Sequence, residues 1–135
     1  MCTGYIQSKF LFELERFEDE VLSSDRFILG TLLFFTGFCI NYHSDHVMRN
    51  LRKPGETGYV IPRGGMFKYV SGANFFGEIV EWIGFGIAGG WTGVAFAFFT
   101  FCNTAPRGHA HHKWYLQKFG DEYPKERKAV IPFIW

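Results

Sequence analysis

Asn74, Glu78 and Glu81 stand at i, i+4 and i+7, so on a helix they share one face. The two glutamates are the only charged residues between Lys68 and Arg107. An ionisable side chain inside a membrane span is costly, and it usually faces a bundle interior or a wet cavity. Two further sets follow the same spacing. Asn41, Asp45 and Arg52 stand at i, i+4 and i+11, and Arg107, His111 and Tyr115 at i, i+4 and i+8. A cavity lined by the three faces would offer cations, carboxylates, amides and a phenol. That inventory suits a large polar ligand with phosphates, a ribose and an amide. Arg52, Lys53, Arg63 and Arg107 can neutralise phosphate, and arginine does so through two parallel hydrogen bonds. Each face taken alone also fits a solvated interfacial helix.

The elements that must carry these faces are membrane spans. Phe contributes 17 of 135 residues, and the apolar residues come in blocks. Phe27 to Tyr42 carry no charge, nor do Trp82 to Pro106. A bilayer core takes about 20 mainly apolar residues per helix. The blocks predict three spans, over 26–43, 69–88 and 90–106, in an all-α, multi-span transmembrane helical bundle. A soluble Phe-rich domain with a core helix is the alternative. Residues 1–25 read as an acidic juxtamembrane segment and 26–135 as the membrane domain. The first helix has nothing to stop it before Lys53-Pro54-Gly55, where the residue before Pro leaves the helical region. His109 to Phe119 reads as a short interfacial helix. Pro124 and Pro132 break the tail.

The net charge of +1 hides an asymmetry. Arg49, Arg52, Lys53, Arg63 and Lys68 follow the first span, and the tail carries Arg107, Lys113, Lys118, Lys125, Arg127 and Lys128. Cytoplasmic segments are rich in Lys and Arg, so loop and tail are expected in the cytosol, with a turn at Gly89-Gly90 on the far side. Met1 is not followed by a basic segment and an apolar core, so no cleavable signal peptide is expected.

Three patterns point away from other chemistry. Cys2, Cys39 and Cys102 are an odd count without paired spacing, and they read as small buried hydrophobes. Gly84, Gly86 and Gly89 match G-x-G-x-x-G, but no strand precedes them, so they read as helix-packing glycines. His43, His46, His109, His111 and His112 lack the company of a zinc site, and no metal is expected.

Longer stretches carry a resemblance. Asn41-Tyr42-His43-Ser44-Asp45-His46 is followed by Arg49 through Tyr59 and by Ile61-Pro62-Arg63-Gly64-Gly65. Then come Tyr69 through Trp82, His111 through Leu116, and Tyr123-Pro124-Lys125 through Phe133. Together they resemble the steroid 5-alpha-reductases, the 3-oxo-5-alpha-steroid 4-dehydrogenase family, over about residues 27–135. The resemblance implies a multi-pass protein of the endoplasmic reticulum membrane. It also implies a bound NADPH that delivers hydride to C5 of a 3-oxo-Δ4 steroid, with a proton added at C4. Membrane lipid and a steroid or related lipid are the implied partners; nucleic acid is not.

Carried over by position, the cofactor-binding residues are Asn41, Asp45, Arg52, Tyr59, Asn74, Glu78, Arg107, His111 and Tyr115. Glu81 and Trp82 fall near cofactor and substrate. The family has a seven-span architecture about twice as long, and this chain resembles its second half. The Glu and Tyr that polarise the steroid carbonyl belong to the other half, so no catalytic residue is assigned here. The chain alone is expected not to turn over. A related membrane enoyl or polyprenol reductase, or a membrane protein without turnover, are the other readings.

Overall fold

The structure, a computed structural model, describes residues 23–52, 55 and 58–135. The juxtamembrane segment proposed over 1–25 lies outside it up to residue 22, as do Lys53 and Pro54. Among the described residues two long helices dominate: α1, Asp25–Arg49, and α2, Ala73–Phe119. No strand forms among them; one parallel bridge pairs Val70 with Lys128.

α1 starts where its sequence supplies a cap. Ser24 accepts from the Phe27 amide at 3.3 Å, and Asp25 places a negative charge in the first turn. At 25 residues it is about 37 Å long, enough to cross a bilayer. It ends at Asn50, whose backbone N–H donates to the His46 carbonyl.

α2 is two rods. At Gly90 the backbone takes φ 73° and ψ −152°, outside the helical region, and the chain folds back. A Cβ on Gly93 would fall 2.9 Å from the Cα of Gly86. The Trp82 and Phe96 rings lie 4.3 Å apart, where a straight helix would separate them by about 21 Å. The expected turn at Gly89-Gly90 is therefore present, and it consumes almost no chain. With α1 the two arms, 73–89 and 91–119, form three rods.

The second arm does not end near residue 106. It runs through Pro106 to Phe119, so 109–119 is no separate interfacial helix. Pro106 removes one backbone donor, but its ring lies exposed on the outer side. One turn earlier, the Asn103 amide donates to the Phe99 carbonyl and the Thr104 hydroxyl to the Thr100 carbonyl. Side-chain bonds of this kind satisfy polar groups in an apolar setting. Ser44, fully buried, does the same with Ile40 O at 2.7 Å.

α1 and the first arm touch backbone to backbone. Gly30, Gly37 and Ser44 recur every seven residues on α1, and Gly77 and Gly84 on the arm; all five are buried. A Cβ on Gly30 would meet the Ala88 nitrogen at 2.6 Å, and one on Gly37 would collide with Glu81 N. Small residues allow this approach, which carries helix association where lipid supplies no hydrophobic drive. Gly84 and Gly86 thus act as packing glycines, against Phe34 and Gly93 respectively. At the far end of the pair, Arg26 Nε donates to the Ile87 carbonyl at 2.6 Å and caps the arm.

The outer faces stay apolar: Trp91 is 87 % exposed and Phe98 70 % exposed, the exterior a bilayer requires. Cys39 and Cys102 lie on this exterior, not in a core as expected. A rod facing lipid has no need to bury an apolar thiol.

The packed core sits at the other end, around the loop and tail. Phe75, Ile79, Ala129 and Val130 form one cluster, and Phe67, Val70 and Ala73 another. The tail is laced to the start of α2. Ser71 N donates to Lys128 O, Gly72 N to Ala129 O and Lys128 N to Tyr69 O, each at 2.9 Å. The chain is an all-α membrane helical bundle whose tail closes one end.

Candidate functional site

The three polar faces converge at the end of the rods that the tail closes. α1 brings Asn41 and Asp45 there, the first arm Asn74 and Glu78, and the second arm Arg107, His111 and Tyr115. The Asn41 amide donates to the Asn74 carbonyl at 3.4 Å. Glu78 is within electrostatic reach of both Arg107 and Asp45. Arg107 also lies over the Phe75 ring at 5.6 Å, and His111 meets the same ring edge-on at 5.5 Å. Asn41, Asp45, Asn74, Glu78, Arg107 and His111 therefore gather at one end of the rods, on three facing segments.

Beyond that group opens a cavity of about 710 Å³. Its walls come from the end of α1, the following loop and the second arm. Arg52, Tyr59, His111 and Tyr115, four of the nine residues assigned to the cofactor, line it. Arg49, Met48 and Trp114 line it as well. Met48 and Arg49 share the face of Asn41 and Asp45, at i+7 and i+8, but in the sequence Arg49 reads as part of the basic loop, Met48 as an ordinary apolar residue and Trp114 as interfacial. The guanidinium of Arg52 stands over the Tyr59 ring at 5.1 Å, and Trp114 meets that ring at 4.8 Å. The Lys118 ammonium lies over the same ring at 5.9 Å. Cations held against aromatic faces are stabilised without losing their charge. The cavity thus combines positive charge with flat apolar surface.

Burial, and then the neighbouring Tyr123, push the Tyr115 phenol above its usual 10. It stays protonated at neutral pH and can donate. Tyr115 stacks on Tyr123 at 5.3 Å and 11°. Tyr123, 1 % exposed, in turn sits beneath the buried Arg127 guanidinium at 5.3 Å.

The remaining assigned residues lie apart from the cavity lining. Glu81 follows Glu78 by one turn, its backbone against Gly37. Trp82 packs between Phe85 and Phe96 at the junction of the two arms. Arg63 is exposed and does not line the cavity. Among the described residues no group of three His, Cys, Asp or Glu gathers at metal-ligand range.

A second polar node was not anticipated. Ser71 Oγ lies 2.6 Å from His112 Nδ1, 2.6 Å from the Tyr123 hydroxyl and 3.2 Å from Lys128 O. Burial, followed by His109 and Lys128, lowers the His112 pKa below the usual 6.5, so the ring is neutral at pH 7.

The full chain, residues 1–135, matches the sequence pattern described as 3-oxo-5-alpha-steroid 4-dehydrogenase. It is 54 % identical over 136 residues to 3-oxo-5-alpha-steroid 4-dehydrogenase 1 of Homo sapiens, covering 99 % of this chain and 52 % of that protein. The bovine type 1 protein is 56 % identical over 137 residues, covering 98 % of this chain and 52 % of the relative. The human type 2 protein is 51 % identical over 138 residues, with 99 % and 54 % covered. The chain spans about half the length of the curated relatives it matches.

Proposed function

The chain belongs to the 3-oxo-5-alpha-steroid 4-dehydrogenase family, and on that premise we propose that it supplies the cofactor-binding half of an NADPH-dependent steroid reductase. The substrate would be a 3-oxo-Δ4 steroid, reduced at its 4,5 double bond, and the membrane that of the endoplasmic reticulum. One observation supports the dinucleotide most. Arg52 and Tyr59 of the loop after α1 meet His111 and Tyr115 of the second arm around one cavity.

The donor set fits a phosphorylated dinucleotide. Arg52 and Arg49 would pair with phosphate, with a preference for a 2′-phosphate over a hydroxyl. Tyr59 and Trp114 offer ring faces to a base. Tyr115, protonated, and His111 can bond to ribose or phosphate oxygens. Deeper in, Asn41, Asn74 and Glu78 offer amide and carboxylate groups to a carboxamide, with Arg107 within electrostatic reach of Glu78. When bound, NADPH supplies the hydride for C5. The residues of this chain bind and orient it and keep the polar end of the ligand away from lipid, as hydride transfer requires. Glu81 and Trp82 are the nearest candidates for the substrate side.

Titrating the chain in lipid nanodiscs with NADPH and NADH tests this reading. Saturable NADPH binding, weaker for NADH and weakened by Arg52→Ala, is expected. Equal binding of both dinucleotides, or none, would remove the assignment.

A further inference from the structure

We propose that Ser71 is a positioning residue for the cavity wall, acting through His112 on one side and Tyr123 on the other. This rests on reading the cavity as a dinucleotide site. Ser71 is 4 % exposed, sits just before α2 and is not among the residues lining the cavity described above. Its two side-chain neighbours adjoin the wall. His112 follows His111, which lines the cavity, and Tyr123 carries the ring on which Tyr115 stacks. One hydroxyl therefore ties the second arm and the tail at the level where both residues face the ligand.

Hydrogen-bond bookkeeping fixes the protons. A serine hydroxyl donates once and accepts twice. Lys128 O already accepts from Ser71 N, which leaves it one lone pair. One assignment satisfies all three contacts: Ser71 Oγ donates to Lys128 O, while the Tyr123 hydroxyl and the His112 Nδ1–H both donate to Ser71 Oγ. A hydroxyl donating to His112 instead would leave the Lys128 contact without a proton. His112 is thus held as the Nδ1–H tautomer. Removing the hydroxyl leaves a buried phenol and a half-buried imidazole without a partner, and both must turn to find one. Tyr115 and His111 then lose their fixed orientation.

The test uses the chain in nanodiscs with ¹⁵N-labelled histidine. Wild type should give one protonated Nδ1 resonance for His112. Ser71→Ala should convert it to a mixture of tautomers and bind NADPH roughly tenfold more weakly. Ser71→Thr should restore both. Tyr123→Phe keeps the ring stack and loses one bond, so a smaller loss of affinity is expected; this variant and Ser71→Thr decide the matter if Ser71→Ala does not fold. Arg52→Ala should weaken NADPH binding and leave the His112 resonance unmoved, which separates direct contact from positioning. A wild-type His112 protonated at Nε2, or wild-type affinity in the serine and tyrosine variants, would overturn the proposal. Failure of wild type to bind NADPH would instead overturn the dinucleotide reading, and the His112 resonance would still decide the role of Ser71.

Discussion

Gly77 and Asn41 meet with no side chain between them: a Cβ on Gly77 would fall 2.5 Å from the Asn41 nitrogen. The contact joins the glycine seam to the polar group, because the Asn41 amide reaches across to the Asn74 carbonyl, one turn before Gly77. The distance between α1 and the first arm is set by glycine, and so is the spacing of the amides they carry.

Gly77→Val should therefore act on stability and site together. Overpacking of a tight contact costs about 1–3 kcal/mol, and here backbone must move. The expected outcome is a lower unfolding midpoint in detergent and weaker NADPH binding. Gly89→Ala, where a Cβ would meet only the Phe85 ring at 3.8 Å, should leave both near wild type. Equal effects of the two substitutions would show that the seam does not set the spacing.

Arg52→Ala should remove a charge-assisted contact of about 1–3 kcal/mol from NADPH binding and less from NADH binding. Fluorescence titration of both dinucleotides measures the difference. A variant with an unchanged preference would take the 2′-phosphate away from Arg52.

Glu78→Gln keeps the shape, removes the charge and replaces an acceptor oxygen with a donor. Binding of NADPH should weaken while membrane insertion and helix content, read by circular dichroism, stay as in wild type. Wild-type affinity would mean that the Asn74–Glu78 face is not part of the site.

The lowered pKa of His112 makes stability depend on pH. The folded protein binds this proton less readily than the unfolded chain does. The contribution is therefore complete above pH 6.5, the ordinary histidine value, and falls as pH drops through it toward the folded pKa. The unfolding midpoint should decline between pH 7 and pH 5 more steeply in wild type than in His112→Asn. Parallel profiles would assign the decline to other groups.

Arg52 and the exposed Lys125 of the tail should be accessible from one side of the membrane and Gly90 from the other. Cysteines placed at the three positions, in a background without Cys2, Cys39 and Cys102, can be tested with an impermeant reagent. Labelling of Arg52→Cys and Lys125→Cys from opposite sides would break the three-rod topology.

Much of this was legible in the residues. Charge-free runs mark the rods because lipid excludes charge, and Gly89-Gly90 marks the turn because φ 73° at Gly90 suits glycine. Spacing of three and four residues placed Asn74 with Glu78, and Arg107 with His111 and Tyr115, because helical geometry alone decides that. Contacts across long stretches were not legible. Ser71 is 41 positions from His112 and 52 from Tyr123, and nothing local in the sequence pairs them. The seam was legible only in part: Gly84 reads as a packing glycine, but those at 30, 37 and 77 gain meaning only once two rods face each other. The end of the second arm was misplaced, because the charge-free run stops at Pro106 while the helix runs on to Phe119 and tolerates the exposed proline ring.

Backbone contact has a mechanical consequence. An interface of side chains absorbs a small displacement by changing rotamers, whereas glycine against glycine has none to change. The pair formed by α1 and the first arm is thus a stiff chassis, and it carries Asn41, Asp45, Asn74 and Glu78 as a fixed unit. Arg107, His111 and Tyr115 ride on the second arm, joined to that chassis through the single non-helical residue Gly90 at one end and through the Ser71 node and the tail at the other. Amide hydrogen exchange should be slowest along Gly37 and Gly77. Any change on filling the cavity should concentrate at its lining, around Leu51, Arg52, Tyr59 and Val60 and beyond Gly108, and slowing centred on the seam would contradict this division.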